Sequence, residues 1–138
     1  MLRNCKIVNT VLGPAASHGQ GVFTFNLELD FGDQRVLFGF VSLDSQENDK
    51  RVPTQYGMDV IMEIIKVAGV NSWEELKGSI VRAYIDDITS QVVGIVNILD
   101  DNLFILPGLL FQQKYAPPAP EITQEVQDVL DQAQPPEF

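Results

Sequence analysis

Apolar residues recur at every second position through residues 22–31. Phe23, Phe25, Leu27, Leu29 and Phe31 alternate with Val22, Thr24, Asn26, Glu28 and Asp30, the period of a strand with one face in the core and the other in water. Gly32-Asp33 makes a tight turn, and residues 35–43 (RVLFGFVSL) return as the second arm of a hairpin. That arm is apolar on both faces, which predicts a central or corner position with a bulge at Gly39. The period then changes. In the segment 54–78, Val60, Ile61, Ile64, Ile65 and Ala68 form one stripe of a 3.6-residue helix, with Asp59, Glu63 and Lys66 on the other side. Thr54 is placed to cap its N-terminus and Gly69 to close its C-terminus with a positive φ. Ser72 and Glu75 frame a second short turn as a capping box, ended by Gly78. Trp73 is expected to anchor that turn on the core, in preference to stacking on a base.

The remaining elements are shorter. Residues 6–12 (KIVNTVL) read as a strand closed by Gly13-Pro14, followed by a turn-rich loop through His18. Residues 44–53 (DSQENDKRVP) read as a polar loop. Residues 79–86 and 91–99 read as two more strands, and 103–111 (LFILPGLLF) as a short strand that turns at Pro107-Gly108 to dock on the core. Residues 115–120 (YAPPAP) form a stiff linker. Beyond it, residues 121–133 carry Ile122, Val126, Val129, Leu130 and Ala133 at helical spacing, a possible short amphipathic helix. The expected fold is mainly β (α+β): a five-stranded, OB-like small barrel over residues 1–114, with its main helix between the third and fourth strands. Residues 115–138 are expected to be a linker and an acidic tail.

Composition bounds the function classes. A chain of 138 residues with 45% hydrophobic positions fits one globular domain. Apolar runs are too short to span a membrane, and MLRNCKIVNT lacks the core of a signal peptide. The single Cys5 allows no internal disulfide and reads as a small core residue in a cytoplasmic protein. The net charge of −10 is unevenly spread: residues 117–138 hold five acids and no base, leaving 14 acids against 9 bases elsewhere. That balance opposes general polyanion binding.

Catalytic signals are sparse. His18 is the only histidine, and nothing local marks a nucleophile and orienting acid around it. Asp86-Asp87 and Asp100-Asp101 offer adjacent oxygens to Mg²⁺, but both pairs sit at turns, where Asp is favoured for its own side-chain bonds. No phosphate loop and no zinc-type cysteine pair is present. The chain reads as a non-enzyme without a cofactor. Residues that would suit single-stranded nucleic acid are Arg35, Lys50 and Arg51, with Arg82 and Tyr84 on the face away from the core. Glu28 and Asp30 on the adjoining face oppose that use.

A succession of motifs carries a resemblance: LDFG at residues 29–32, QYGM at 55–58, GVNSWEELKG at 69–78 and GIVNILDD at 94–101. Over about residues 7–104 the chain resembles a family of small bacteriophage and prophage proteins, and less closely the phage OB-fold single-strand-DNA-binding and recombination accessory proteins. The ending, with Glu137 before a terminal Phe138, is similar in kind to the partner-docking tips of single-strand-binding proteins, although prolines stand where acids would be expected.

Two functions follow as expectations. One is a phage accessory of DNA replication or recombination in the host cytosol, binding single-stranded DNA weakly and a replication or recombination partner through Glu137 and Phe138. The other is an anti-defence inhibitor that meets a host protein through its acidic surface. The pattern leaves monomer and oligomer open.

Overall fold

The computed structural model describes residues 1–15 and 21–115. Strand β1 (Leu2–Ala15) is the pivot of the sheet. Its first part pairs antiparallel with β6 (Ile80–Ile85), and from Lys6 onward it pairs antiparallel with β2 (Val22–Asp30). Lys6 pairs with both neighbours, one on each edge of β1, and the β1–β2 register slips between Ile7 and Asn9. A bulge there bends the strand and lets β6 leave it. On the far side β2 pairs with β3 (Arg35–Gly39). On the near side β6 pairs with β7 (Val92–Val96), and β7 with β8 (Phe104–Ile105). The order is β3-β2-β1-β6-β7-β8, antiparallel throughout.

The alternation in β2 sets the core. Phe25, Leu27 and Leu29 are fully buried, each contributing about 2 kcal/mol of apolar transfer free energy. Phe25 meets Phe38 and Trp73 edge-on, with ring centres 5.7 and 6.2 Å away, so Trp73 is a core anchor. Helix α1 (Gln55–Ala68) buries Val60, Ile64 and Val67 beneath the sheet. The apolar stripe is therefore turned toward Val67, and Ile61 and Ala68 are only partly buried. Thr54 caps the helix: its Oγ1 accepts the Gly57 N–H at 2.9 Å and donates to the Leu43 carbonyl at 2.8 Å. Gly69, at φ 74°, closes the other end. Half of the expected capping box forms. Glu75 N–H meets Ser72 Oγ, but the Glu75 carboxylate reaches Asn71 N–H instead of Ser72.

Several expectations need correction. The main sheet has six strands where the alternation suggested five, because the two-residue β8 adds to its edge. The segment 44–53, read as a polar loop, is a separate hairpin of β4 (Asp44–Glu47) and β5 (Lys50–Pro53). Its outer part, Gln46 to Lys50, is exposed, while Asp44, Ser45, Arg51 and Val52 at its base are partly buried. Strand β3 ends at Gly39, since Gly39 and Phe40 both take positive φ and turn the chain. A Cβ at Gly39 would collide with the Phe25 carbonyl. The sheet does not close into a barrel: β3 and β7 approach each other, but no hydrogen-bonded ladder joins them. What stands is a mainly β architecture with one main helix between β5 and β6.

After β8, Pro107 opens the short helix α2 (Pro107–Leu110), and a π-turn follows over Phe111–Tyr115. Tyr115, assigned above to the linker, instead packs edge-on against Tyr56. Among the described residues, no helix is long and apolar enough to cross a membrane.

Candidate functional site

The sheet brings Arg35, Arg82 and Tyr84 onto its outer face. Phe25, Leu27 and Leu29 of β2 and Val81 and Ala83 of β6 point inward, so residues one step away point outward. Lys50 and Arg51 lie apart, in the β4–β5 hairpin.

Each arginine in this set is matched by acid. Arg35 stands opposite Asp30 in register and lies 3.6 Å from both Asp30 and Glu28. Arg82 donates from Nε and Nη2 to the Asn97 carbonyl at 3.0 and 2.6 Å and meets Asp101 at 2.6 Å. Arg51 donates from Nε and Nη2 to the two oxygens of Asp44 at 3.0 and 2.6 Å. The Arg51 guanidinium holds the Asp44 carboxyl below the usual carboxylate range, against burial, and the Phe23 N–H adds to the effect. Asp44 in turn raises Arg51. Arg3, not singled out by its sequence context, pairs with Asp33 at 3.1 Å and lies over the Phe31 ring. All four arginines of the chain are thus ion-paired. Lys50 faces Glu47 in the hairpin register. Tyr84 is 41% exposed, opposite Leu2 and Gly94.

The remaining candidates carry structural roles or lie elsewhere. Asp86 Oδ1 accepts the Ile88 and Thr89 N–H groups, and Asp100 Oδ1 accepts that of Asn102, as turn carboxylates do. Among the described residues no cluster of three His, Cys, Asp or Glu side chains is placed to hold a metal. Cys5 is buried, and burial pushes its thiol up to about 11, so it is a packed thiol and not a nucleophile at neutral pH. His18, Glu137 and Phe138 lie outside the described residues.

A groove that no local sequence signal announces sits between the end of β1, the start of β2, the β4–β5 hairpin and the first turns of α1. Its volume is about 370 Å³, and its walls are mainly apolar: Pro14, Phe23, Leu43, Pro53, Met58 and Ile61. The Asp44–Arg51 pair closes one side. These residues come from five segments, each unremarkable alone, so only the tertiary structure assembles them. Met58 is 57% exposed on a helix position that faces the groove.

No family model, curated protein or solved structure matches the chain.

Proposed function

We propose that this protein is a non-catalytic, protein-binding module that presents an acidic surface to a basic partner. The observation that carries this reading is the pairing of Arg35, Arg51 and Arg82 with acids. A nucleic-acid groove needs guanidinium and ammonium groups free to meet phosphate. Here Arg51 and Arg82 are held in close pairs at 2.6 Å, Arg35 faces Glu28 and Asp30 at 3.6 Å on the surface, and the formal charge surplus is negative. An inhibitor of a host protein is one form such a module takes. The test is a titration of a labelled lysine-rich peptide into the full chain at low and physiological salt. Salt-sensitive binding is expected; its absence at low salt overturns the reading.

The strand order favours a second reading. A long β1 shared by β2 and β6, a helix before β6 and a β3 close to β7 support reading the open sheet as an OB-like half-barrel. On that reading the outer-face Arg35, Arg82 and Tyr84 contact single-stranded DNA weakly, Lys50 and Arg51 extend the contact, and Glu137-Phe138 recruits a replication or recombination protein. It requires the arginine pairs to open on binding.

A further inference from the structure

Beyond Ile7, one edge of β1 has no partner strand among the described residues. Ile7 N–H donates to the Ser79 carbonyl at 2.9 Å, and Gly78 N–H to the Ile7 carbonyl at 2.7 Å. No described strand continues that pairing along residues 9–15. The register shows which groups are left. Phe40 N–H donates to the Phe25 carbonyl and Phe31 N–H to the Gln34 carbonyl, so odd positions of β2 face β3. Even positions of β2 therefore face β1, where their partners are Asn9, Val11, Gly13 and Ala15. The N–H and C=O groups of Thr10 and Leu12, and the carbonyl of Pro14, point to the opposite, open edge. Pro14 is tolerated inside a strand for the same reason, since its missing N–H would have lain there.

This edge is blunted only at its two ends, by the bulge between Ile7 and Asn9 and by Pro14. Residues 9–13 between them (NTVLG) carry no charge, whereas exposed edges are commonly blocked by lysine or by an inward charge. The side chains of Thr10, Leu12 and Pro14 share the inward face with their partners Leu27, Phe25 and Phe23. Pro14 and Phe23 are also walls of the 370 Å³ groove. Pro14 thus borders both the open edge and the groove. A strand added about 4.8 Å beyond β1 would present alternate side chains to the groove.

We infer that the open edge of β1 at Thr10 and Leu12 takes an extended peptide segment of a partner, with alternate apolar side chains entering the groove and basic residues flanking them. The basic flanks rest on the acidic-surface reading above. The edge itself rests on the register. Charge complementarity selects the occupant: the described residues hold 14 acids against 9 bases, and five of those bases are already ion-paired. A second copy of this acidic chain or its own acidic tail meets repulsion where a basic peptide meets attraction.

The test follows the backbone amides of the full chain by NMR during titration with a capped peptide whose alternating valine and threonine core lies between paired lysines. A second peptide carries the same core between glutamines. The expected result is that Thr10 and Leu12 amides shift and exchange more slowly with the lysine-flanked peptide. Leu12→Pro, which removes an N–H that serves no described ladder, should weaken binding at least about tenfold. Met58→Lys, at an exposed position, should do the same by placing a cation on the groove wall. Lysine-flanked binding that leaves Thr10 and Leu12 unmoved and survives both substitutions overturns the edge site while the acidic-surface reading stands. Perturbation of Thr10 and Leu12 by the glutamine-flanked peptide alone supports the edge and overturns the choice of a basic partner. Protection of both amides without peptide overturns the inference, because the chain itself or a second copy then fills the edge; dilution separates those two cases.

Discussion

Asp44 holds three parts of the chain at one carboxylate. It accepts two bonds from Arg51 of β5, the Phe23 N–H of β2 and the Ser42 hydroxyl. Its folded-state pKa is lowered, chiefly by the Arg51 bond. The stabilisation is therefore complete above the ordinary carboxylate range, about pH 4, and is lost as pH falls through the lower folded value. Asp44→Asn should lower the urea midpoint at neutral pH and flatten the decline on acidification, as read from denaturation curves at about pH 7 and about pH 3. A wild-type-like acid limb in the variant would contradict that role. Gly57 gives a second test at this scale. Alanine is preferred over glycine in a helix interior by about 1 kcal/mol, yet a Cβ at Gly57 would run into the Leu43 backbone. Gly57→Ala should destabilise by about 1–3 kcal/mol, and Thr54→Ala by about 1 kcal/mol through the lost cap. A stabilised Gly57→Ala would show that the helix start and residue 43 are not in close contact.

At the scale of elements, the strap formed by α2 and the π-turn (residues 107–115) is fastened to α1 by one small network. Tyr56 donates to the Pro107 carbonyl at 3.0 Å, and Asp59 accepts from the Tyr115 hydroxyl and from Lys114. The Tyr115 bond, then Lys114, lowers Asp59, while Asp59 raises both Tyr115 and Lys114. The sign differs for the two sides. The carboxylate's contribution is lost as pH falls below about 4, and the contributions of Tyr115 and Lys114 as pH rises through values above about 10. Amide protection factors over Phe111–Tyr115, normalised to the intrinsic exchange rate at each pH, should fall at acid pH before those of the β2 core, and Asp59→Asn should remove that difference. Simultaneous opening of strap and core would contradict a separately fastened strap.

The elements also separate what the sequence displays from what it conceals. The Phe23–Phe31 alternation, the helix with its Thr54 and Gly69 caps, and the Pro107 turn are local signals, and each appears in the fold. The length of β1 is not local. Met1 to Cys5 lacks alternation and becomes a strand because β6 supplies its partner. The β4–β5 hairpin escapes a reading based on burial because it buries little. The arginine pairs are half legible. Asp30 and Arg35 flank the Gly32 turn and could be paired from hairpin register, but Arg82 meets Asp101 only after β7 returns the chain.

At the scale of the whole molecule, charge separates the two functions. A net charge of −10, with all four arginines ion-paired, is an unfavourable field for phosphate and a favourable one for a basic protein surface. The six-stranded antiparallel sheet supplies a scaffold for either use and does not choose between them. Freeing a cation should shift the balance: Glu28→Gln with Asp30→Asn releases Arg35 and should raise affinity for single-stranded DNA at low salt. The most direct measurement is fluorescence anisotropy of labelled single-stranded DNA titrated with the unmodified full chain at low and physiological salt. An unchanged signal at both salts is expected of a protein-facing acidic module. Saturable, salt-sensitive binding would contradict it and return the outer-face arginines to the role of a nucleic-acid surface.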